Sequence, residues 1–264
     1  FGGKLMTYYG RWTYKYEEAA RQGAAAAIIV HDTVPAAYGW NVVQSSWPGA
    51  QHVADRADGN AGLSAAIGWI QKDKAKALFA SAGMDLDAQM AAARKPGFKA
   101  VPLGAVKASV SFDNDLRKHM SKNVVALLPG KTRPDEYVLY SAHWDHLGHC
   151  QAAPDGDDIC NGAVDNATGT AALVALAEAN VKAGPTDRSQ VFLAVTAEES
   201  GLLGSAYYGS NPVFPFAQTV GGVNMDALSV AGLAKNVVVS GKGKSQRDAY
   251  LARALAAQER VATR

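Results

Sequence analysis

Apolar positions along the chain follow two kinds of spacing, and their order predicts the elements. Lys15 to Arg21 has helical spacing, Gly23 can end that helix, and the run Ala24 to Val30 is apolar enough for a buried strand. Tyr38 to Gly62, rich in Gly, Asn, Ser, Pro and Trp, keeps no period and predicts an irregular surface region. Helical spacing returns at Lys72 to Ala82 and at Asp85 to Arg94, the second opening on an Asp that suits the positive end of a helix dipole. Val106, Ala108, Val110 and Phe112 alternate with Lys107, Ser109 and Ser111, the pattern of a half-buried strand.

From Asn123 onward the two spacings interleave. Strands are expected at Asn123 to Leu128, Tyr137 to Ala142, Gln190 to Thr196, Thr219 to Asn224 and Val237 to Ser240. Helices are expected at Gly169 to Ala179, Leu202 to Tyr208 and Gln246 to Val261. Such interleaving predicts an α/β fold, a three-layer α/β/α sandwich whose mixed, mostly parallel sheet is covered on both faces. The change of pattern places a smaller α+β domain at residues 1–105 and a larger domain at 106–264.

Charge narrows the function. Lys and Arg total 26 against 24 Asp and Glu, so no basic field predicts binding to nucleic acid or to an anionic membrane, and a peptide or small molecule fits better as substrate. No apolar run approaches the ~20 residues of a membrane-spanning helix. The chain opens at Phe1 without an initiator Met or signal peptide, which is expected of a processed product or a fragment. Cys150 and Cys160 bracket a polar loop, compatible with a disulfide in an oxidising compartment and equally with two thiols. Oligomeric state is not written in the sequence.

Candidate chemistry lies just beyond the apolar strands. Tyr137 to Ala142 runs into His143-Trp144-Asp145-His146, Val191 to Ala197 into Glu198-Glu199, and Val220 to Asn224 into Asp226. Ligands of open α/β sheets bind beyond the carboxyl ends of strands, so these three points should converge. Asp165, at the start of the helical run from Gly169, is a fourth candidate, because free N–H groups hold a carboxylate there and its two oxygens can bridge two cations. Singly, each has an ordinary explanation as a surface His, a helix cap or a solvated loop. Jointly they predict a metal site, and imidazole together with carboxylates suits zinc.

The segments His143-Trp144-Asp145-His146-Leu147-Gly148, Val164-Asp165-Asn166-Ala167-Thr168-Gly169, Ala197-Glu198-Glu199-Ser200-Gly201-Leu202-Leu203-Gly204-Ser205 and Asn224-Met225-Asp226 resemble, in order and identity, the zinc aminopeptidase and glutamate carboxypeptidase family of metallopeptidases. The resemblance implies two zinc ions. His143 and Asp226 are then terminal ligands of one, Asp165 bridges both, and Glu199 binds the second. Glu198 is implied as the general base that takes a proton from the shared water and passes it to the leaving amine. Asp145 is implied to bond the far nitrogen of His143 and fix its tautomer.

The family takes a further His ligand from a segment well past Asp226, and this sequence has no His after His149. The second zinc is thus expected to keep only Asp165 and Glu199, and the chain to be C-terminally truncated or a shortened, one-metal or inactive relative. Tyr14 to Val30 resembles part of the protease-associated domain that such enzymes often carry, which implies a role in substrate access or interaction. The enzyme is expected to be secreted, extracellular or periplasmic. His146 and His149 are expected to be loop residues, since the family pattern uses only the first His. His31, His52 and His119 read as structural or surface residues. Trp40, Trp47 and Trp69 are expected to be packing anchors more than cleft walls. The leading function is an aminopeptidase. A carboxypeptidase or a glutaminyl cyclase on the same scaffold, and a receptor-like ectodomain without turnover, are the rivals.

Overall fold

Eight consecutive residues, Arg188–Val195, form the most deeply buried strand among the described residues, an inner strand of a four-stranded sheet. The computed structural model describes residues 8–46, 50–232, 234–238 and 246–263. Trp47 lies outside the described residues, as do Val239 and Ser240 at the end of one expected strand. The chain divides into two compact units, Tyr8–Ser121 with Cys150–Asp158, and Lys122–His149 with the residues from Ile159 onward.

The first unit contains α1 (Trp12–Arg21), β1 (Ala26–His31), α2 (Thr33–Ala36), α3 (Trp40–Ser46), β2 (Ala66–Gln71), α4 (Lys72–Ser81) and α5 (Leu86–Ala93). β1 and β2 pair in parallel, from Ala26 beside Ala66 to His31 beside Gln71. Tyr16 of α1 is buried and donates its hydroxyl proton to the Gly68 carbonyl of β2 at 2.7 Å, fixing the helix to the ribbon. His31 is buried among Tyr38, Trp40 and Trp69, with ring centroids 5.4, 5.8 and 6.3 Å away, so both described tryptophans of the expected trio pack around a histidine. Asp85 caps α5 by accepting the Ala88 N–H. Two expectations fail here. Trp40–Ser46 is helical inside the stretch read as irregular, and Val106 to Phe112 forms no strand. Alternation supplies a wet and a dry face but not a partner, and without a ladder Val110 and Phe112 stay exposed.

The second unit contains β3 (Val124–Leu128), β4 (Arg133–His143), β5 (Gly148–His149), β6 (Ile159–Cys160), α6 (Ala167–Ala183), β7 (Arg188–Val195), α7 (Leu203–Ser210), β8 (Thr219–Asn224), β9 (Asn236–Val238), α8 (Arg247–Ala256) and β10 (Val261–Thr263). Four of these strands make a mixed sheet in the order β3-β7-β4-β8, with β3 antiparallel to β7 and the other two pairings parallel. The period of two along β7 sends its residues to opposite faces. Phe192 packs with Ala142 and with Leu173 and Leu176 of α6, whereas Leu193 and Val195 pack with Tyr208 of α7. The expected helix to Val261 ends at Ala256, and β10 pairs with β9 instead. Both cysteines are disulfide-bonded.

Candidate metal centre

Parallel strands β4, β7 and β8 release their chains at the same sheet edge, which delivers the predicted residues to one place. β4 ends on His143, whose side chain is almost fully buried. Beyond β7 the chain turns through Ala197, in a left-handed conformation, into Glu198 and Glu199. β8 leads through Met225 to Asp226.

The turn that carries Asp165 is tied to this edge by Asn166. Asn166 is fully buried, caps α6 by accepting the Gly169 N–H at 3.0 Å, donates to the Met225 carbonyl at 3.0 Å and accepts the Ala227 N–H at 3.2 Å. A side chain at Gly169 has no room, since its first carbon would lie 2.7 Å from the Met225 oxygen. Thr170 adds a bond to the His143 carbonyl at 2.9 Å. On the other side, Asn123 accepts the Thr196 N–H and donates to the Gly204 carbonyl, which holds the ends of the Glu198-Glu199 turn.

His143 Nε2 is 3.0 Å from an Asp165 oxygen and 3.3 Å from an Asp226 oxygen. His143, Asp165 and Asp226 thus present three donor atoms within 4.8 Å of one another. A second trio, His146, Asp165 and Glu199, meets the same criterion, with His146 Nδ1 at 2.6 Å from Glu199 Oε1. Asp165 is common to both, as a bridging carboxylate would be. Glu198 belongs to neither. His146, set aside as a loop residue on sequence grounds, therefore stands beside Glu199. Its three-residue offset from His143 carried no signal, because only the fold brings the β4 and β7 exits together.

Asp145 does less for His143 through its carboxylate than the resemblance implied. His143 Nδ1 lies 3.0 Å from the Asp145 main-chain carbonyl and 3.8 Å from the carboxylate. That carboxylate instead accepts the Glu198 N–H at 3.0 Å and the Glu199 N–H at 3.2 Å. The reason is competition: two fixed main-chain donors converge on its oxygens, while the adjacent carbonyl already serves the ring.

Charge at the centre is strongly negative. Burial pushes the Glu198 carboxyl above its ordinary pKa; the His143 ring pulls it down, and the charges of Glu199, Asp226 and Asp145 add to the rise. For His143, burial opposes the charged ring, but the Asp145 carbonyl and the charges of Glu198, Asp226 and Asp145 outweigh it and raise its pKa. The carboxylates that raise the His143 pKa would also attract a cation at this place. Imidazole nitrogen with carboxylate oxygen is a donor set that fits zinc. Beside these residues lies a cavity of about 360 Å³ lined by Trp144, Asp145, His146, Asn161, Thr170 and Val174, among others.

The sequence pattern of peptidase family M28 matches residues 123–264. Aminopeptidase NAALADL1 of Mus musculus is 32% identical over 140 residues, which cover 50% of this chain and 17% of the mouse protein. A zinc aminopeptidase from Bacillus subtilis is similar in structure over 40% of this chain and 24% of its own, at 28% identity and a TM-score of 0.32. The aminopeptidase from Aneurinibacillus sp. strain AM-1 aligns over 82% of this chain and 43% of its own, at 23% identity and a TM-score of 0.40. The chain thus spans about a sixth of the length of the mouse relative.

Proposed function

Because the chain belongs to peptidase family M28, we propose that it hydrolyses peptide bonds with the help of bound metal and removes residues from peptide N-termini. The observation that carries this reading is that His143, Asp165 and Asp226 converge while Glu198, beside them, takes part in neither donor trio. His143, Asp165 and Asp226 would hold one zinc, and Asp165 with Glu199 a second. Zinc so bound supplies a water of lowered pKa and polarisation of the scissile carbonyl.

The protein's own part is proton transfer and orientation. Glu198 accepts a proton as water oxygen bonds to the carbonyl carbon, then delivers it to the departing amine as the C–N bond breaks. A carboxyl raised by burial is suited to both steps, since its conjugate acid gives up the proton more readily to an amine than to bulk water. Asp145 fixes the main chain of Glu198 and Glu199, so the base keeps its place while it is charged and while it is neutral. The substrate's free α-amine would reach the same centre, which ties cleavage to the first peptide bond.

The same reading makes residues 106–264 the catalytic domain, a three-layer α/β/α sandwich, and residues 1–105 a module like the protease-associated domain that governs substrate access. The disulfide state of Cys150 and Cys160 supports an oxidising compartment outside the cytoplasm. A panel of aminoacyl-nitroanilides tests the activity. Hydrolysis that disappears with a chelator and returns with zinc is expected; no hydrolysis of any member by the zinc-loaded chain overturns the proposal.

A further inference from the structure

We propose that Thr168 is a positioning residue of the metal centre, whose hydroxyl sets the spacing of the Asp165 and Asp226 carboxylates by bonding to the chain beside each. This rests on the metallopeptidase reading above and adds to it a residue outside the donor set. The hydroxyl donates to the Val164 carbonyl at 2.6 Å and accepts the Leu228 N–H at 3.0 Å. Val164 immediately precedes Asp165, and Leu228 follows Asp226 by two residues. One oxygen thus spends its single proton on one acid-bearing segment and a lone pair on the other. The Val164 bond alone would be the ordinary back-bond of a helical threonine to the carbonyl four residues earlier. The Leu228 bond, 60 residues away in sequence, makes the hydroxyl a tie between segments.

The geometry of the donors gives that tie its importance. The Asp165 and Asp226 side chains are 50% and 45% exposed, so their placement depends strongly on the main chain that carries them. Both must nevertheless reach His143 Nε2, which lies 3.0 Å from one and 3.3 Å from the other. Asn166 secures the inner half of the arrangement through the Met225 carbonyl and the Ala227 N–H, on either side of Asp226. Ala227 then adopts a left-handed conformation, with φ of 45°, which is unfavourable for a residue with a side chain. The next N–H, that of Leu228, is the one Thr168 accepts, so the hydroxyl holds the outer side of this turn. Through Val164 it holds the far side of Asp165 as well. Thr168 is the second residue of α6, and a helix start gives it a fixed base from which to span the two segments.

The test reads metal affinity and geometry and does not depend on turnover. Thr168→Val nearly keeps the side-chain shape and removes the hydroxyl, Thr168→Ala removes hydroxyl and methyl, and Thr168→Ser keeps the hydroxyl. For the wild type and each variant, zinc affinity is measured by competition with a chelator. The visible spectrum is recorded with cobalt(II), a spectroscopic stand-in for zinc, and circular dichroism checks folding. The Val and Ala variants are expected to bind zinc about 10- to 100-fold more weakly with an altered cobalt spectrum, and the Ser variant to match the wild type in both. Should Thr168→Val fail to fold, the comparison of Ala with Ser decides. Wild-type affinity and spectrum in a folded variant without the hydroxyl overturn the proposal. Equal weakening in the Ser variant assigns the effect to lost packing and overturns it too. A wild type that binds no zinc defeats the metallopeptidase reading itself, whereas the other two outcomes leave that reading standing.

Discussion

Asp145 and Glu198 are joined side chain to main chain: the Asp145 carboxylate accepts the Glu198 N–H at 3.0 Å, and its other oxygen takes the N–H of Glu199 at 3.2 Å. One acidic side chain thereby fixes the stretch that carries both the proposed base and a proposed ligand. Asp145→Asn keeps one acceptor and turns an NH2 group toward the other donor. We expect it to cost about 1–2 kcal/mol of stability and to weaken zinc binding roughly 10- to 100-fold, read from chemical denaturation and a competitive zinc titration.

Gly169, in the first turn of α6, faces the Met225 carbonyl just beyond β8. Gly169→Ala would place a methyl group 2.7 Å from the Met225 carbonyl oxygen and against the capping amide of Asn166. The helix start must then move, and Asp165 with it. The expected outcome is a loss of about 1–3 kcal/mol in urea denaturation together with weaker zinc uptake, although no donor atom has been removed.

Much of this centre was legible in the sequence because each of its acidic or imidazole residues follows an apolar strand or opens a helix. His143, Glu198, Glu199 and Asp226 could be placed at one sheet edge from strand order alone. His146 could not, since its approach to Glu199 depends on how two loops cross. Nor could the choice between the carboxylate and the carbonyl of Asp145, which turns on where the N–H groups of another segment point. Elsewhere the losses have local causes. Ala66–Gln71 alternates poorly, with Gly68 inside it, yet becomes a strand because β1 offers a parallel partner. Trp40–Ser46 contains β-branched residues, Asn and two serines, a composition of low helix propensity that packing of Val43 overrides.

In the first unit, Tyr16 predicts an alkaline limit to stability. Burial pushes its phenol well above the ordinary value, and the neutral hydroxyl donates to Gly68. A group with a raised folded-state pKa contributes stability that is complete below its unfolded value, about 10, and is lost as pH rises through the folded one. Denaturant midpoints of the wild type should therefore fall above about pH 10, while Tyr16→Phe loses this part of the pH dependence and about 1 kcal/mol at neutral pH. Equal pH profiles for the two proteins would remove Tyr16 as the cause.

The division of labour between ligands and base is tested most directly by measuring zinc per chain and hydrolysis together in Glu198→Gln and Asp165→Ala. The account predicts that the Gln variant keeps the zinc content of the wild type with turnover reduced by at least about 100-fold, the contribution expected of a positioned general base, and that the Asp165 variant loses metal and activity alike. Wild-type turnover in Glu198→Gln, or full zinc content in Asp165→Ala, would contradict it.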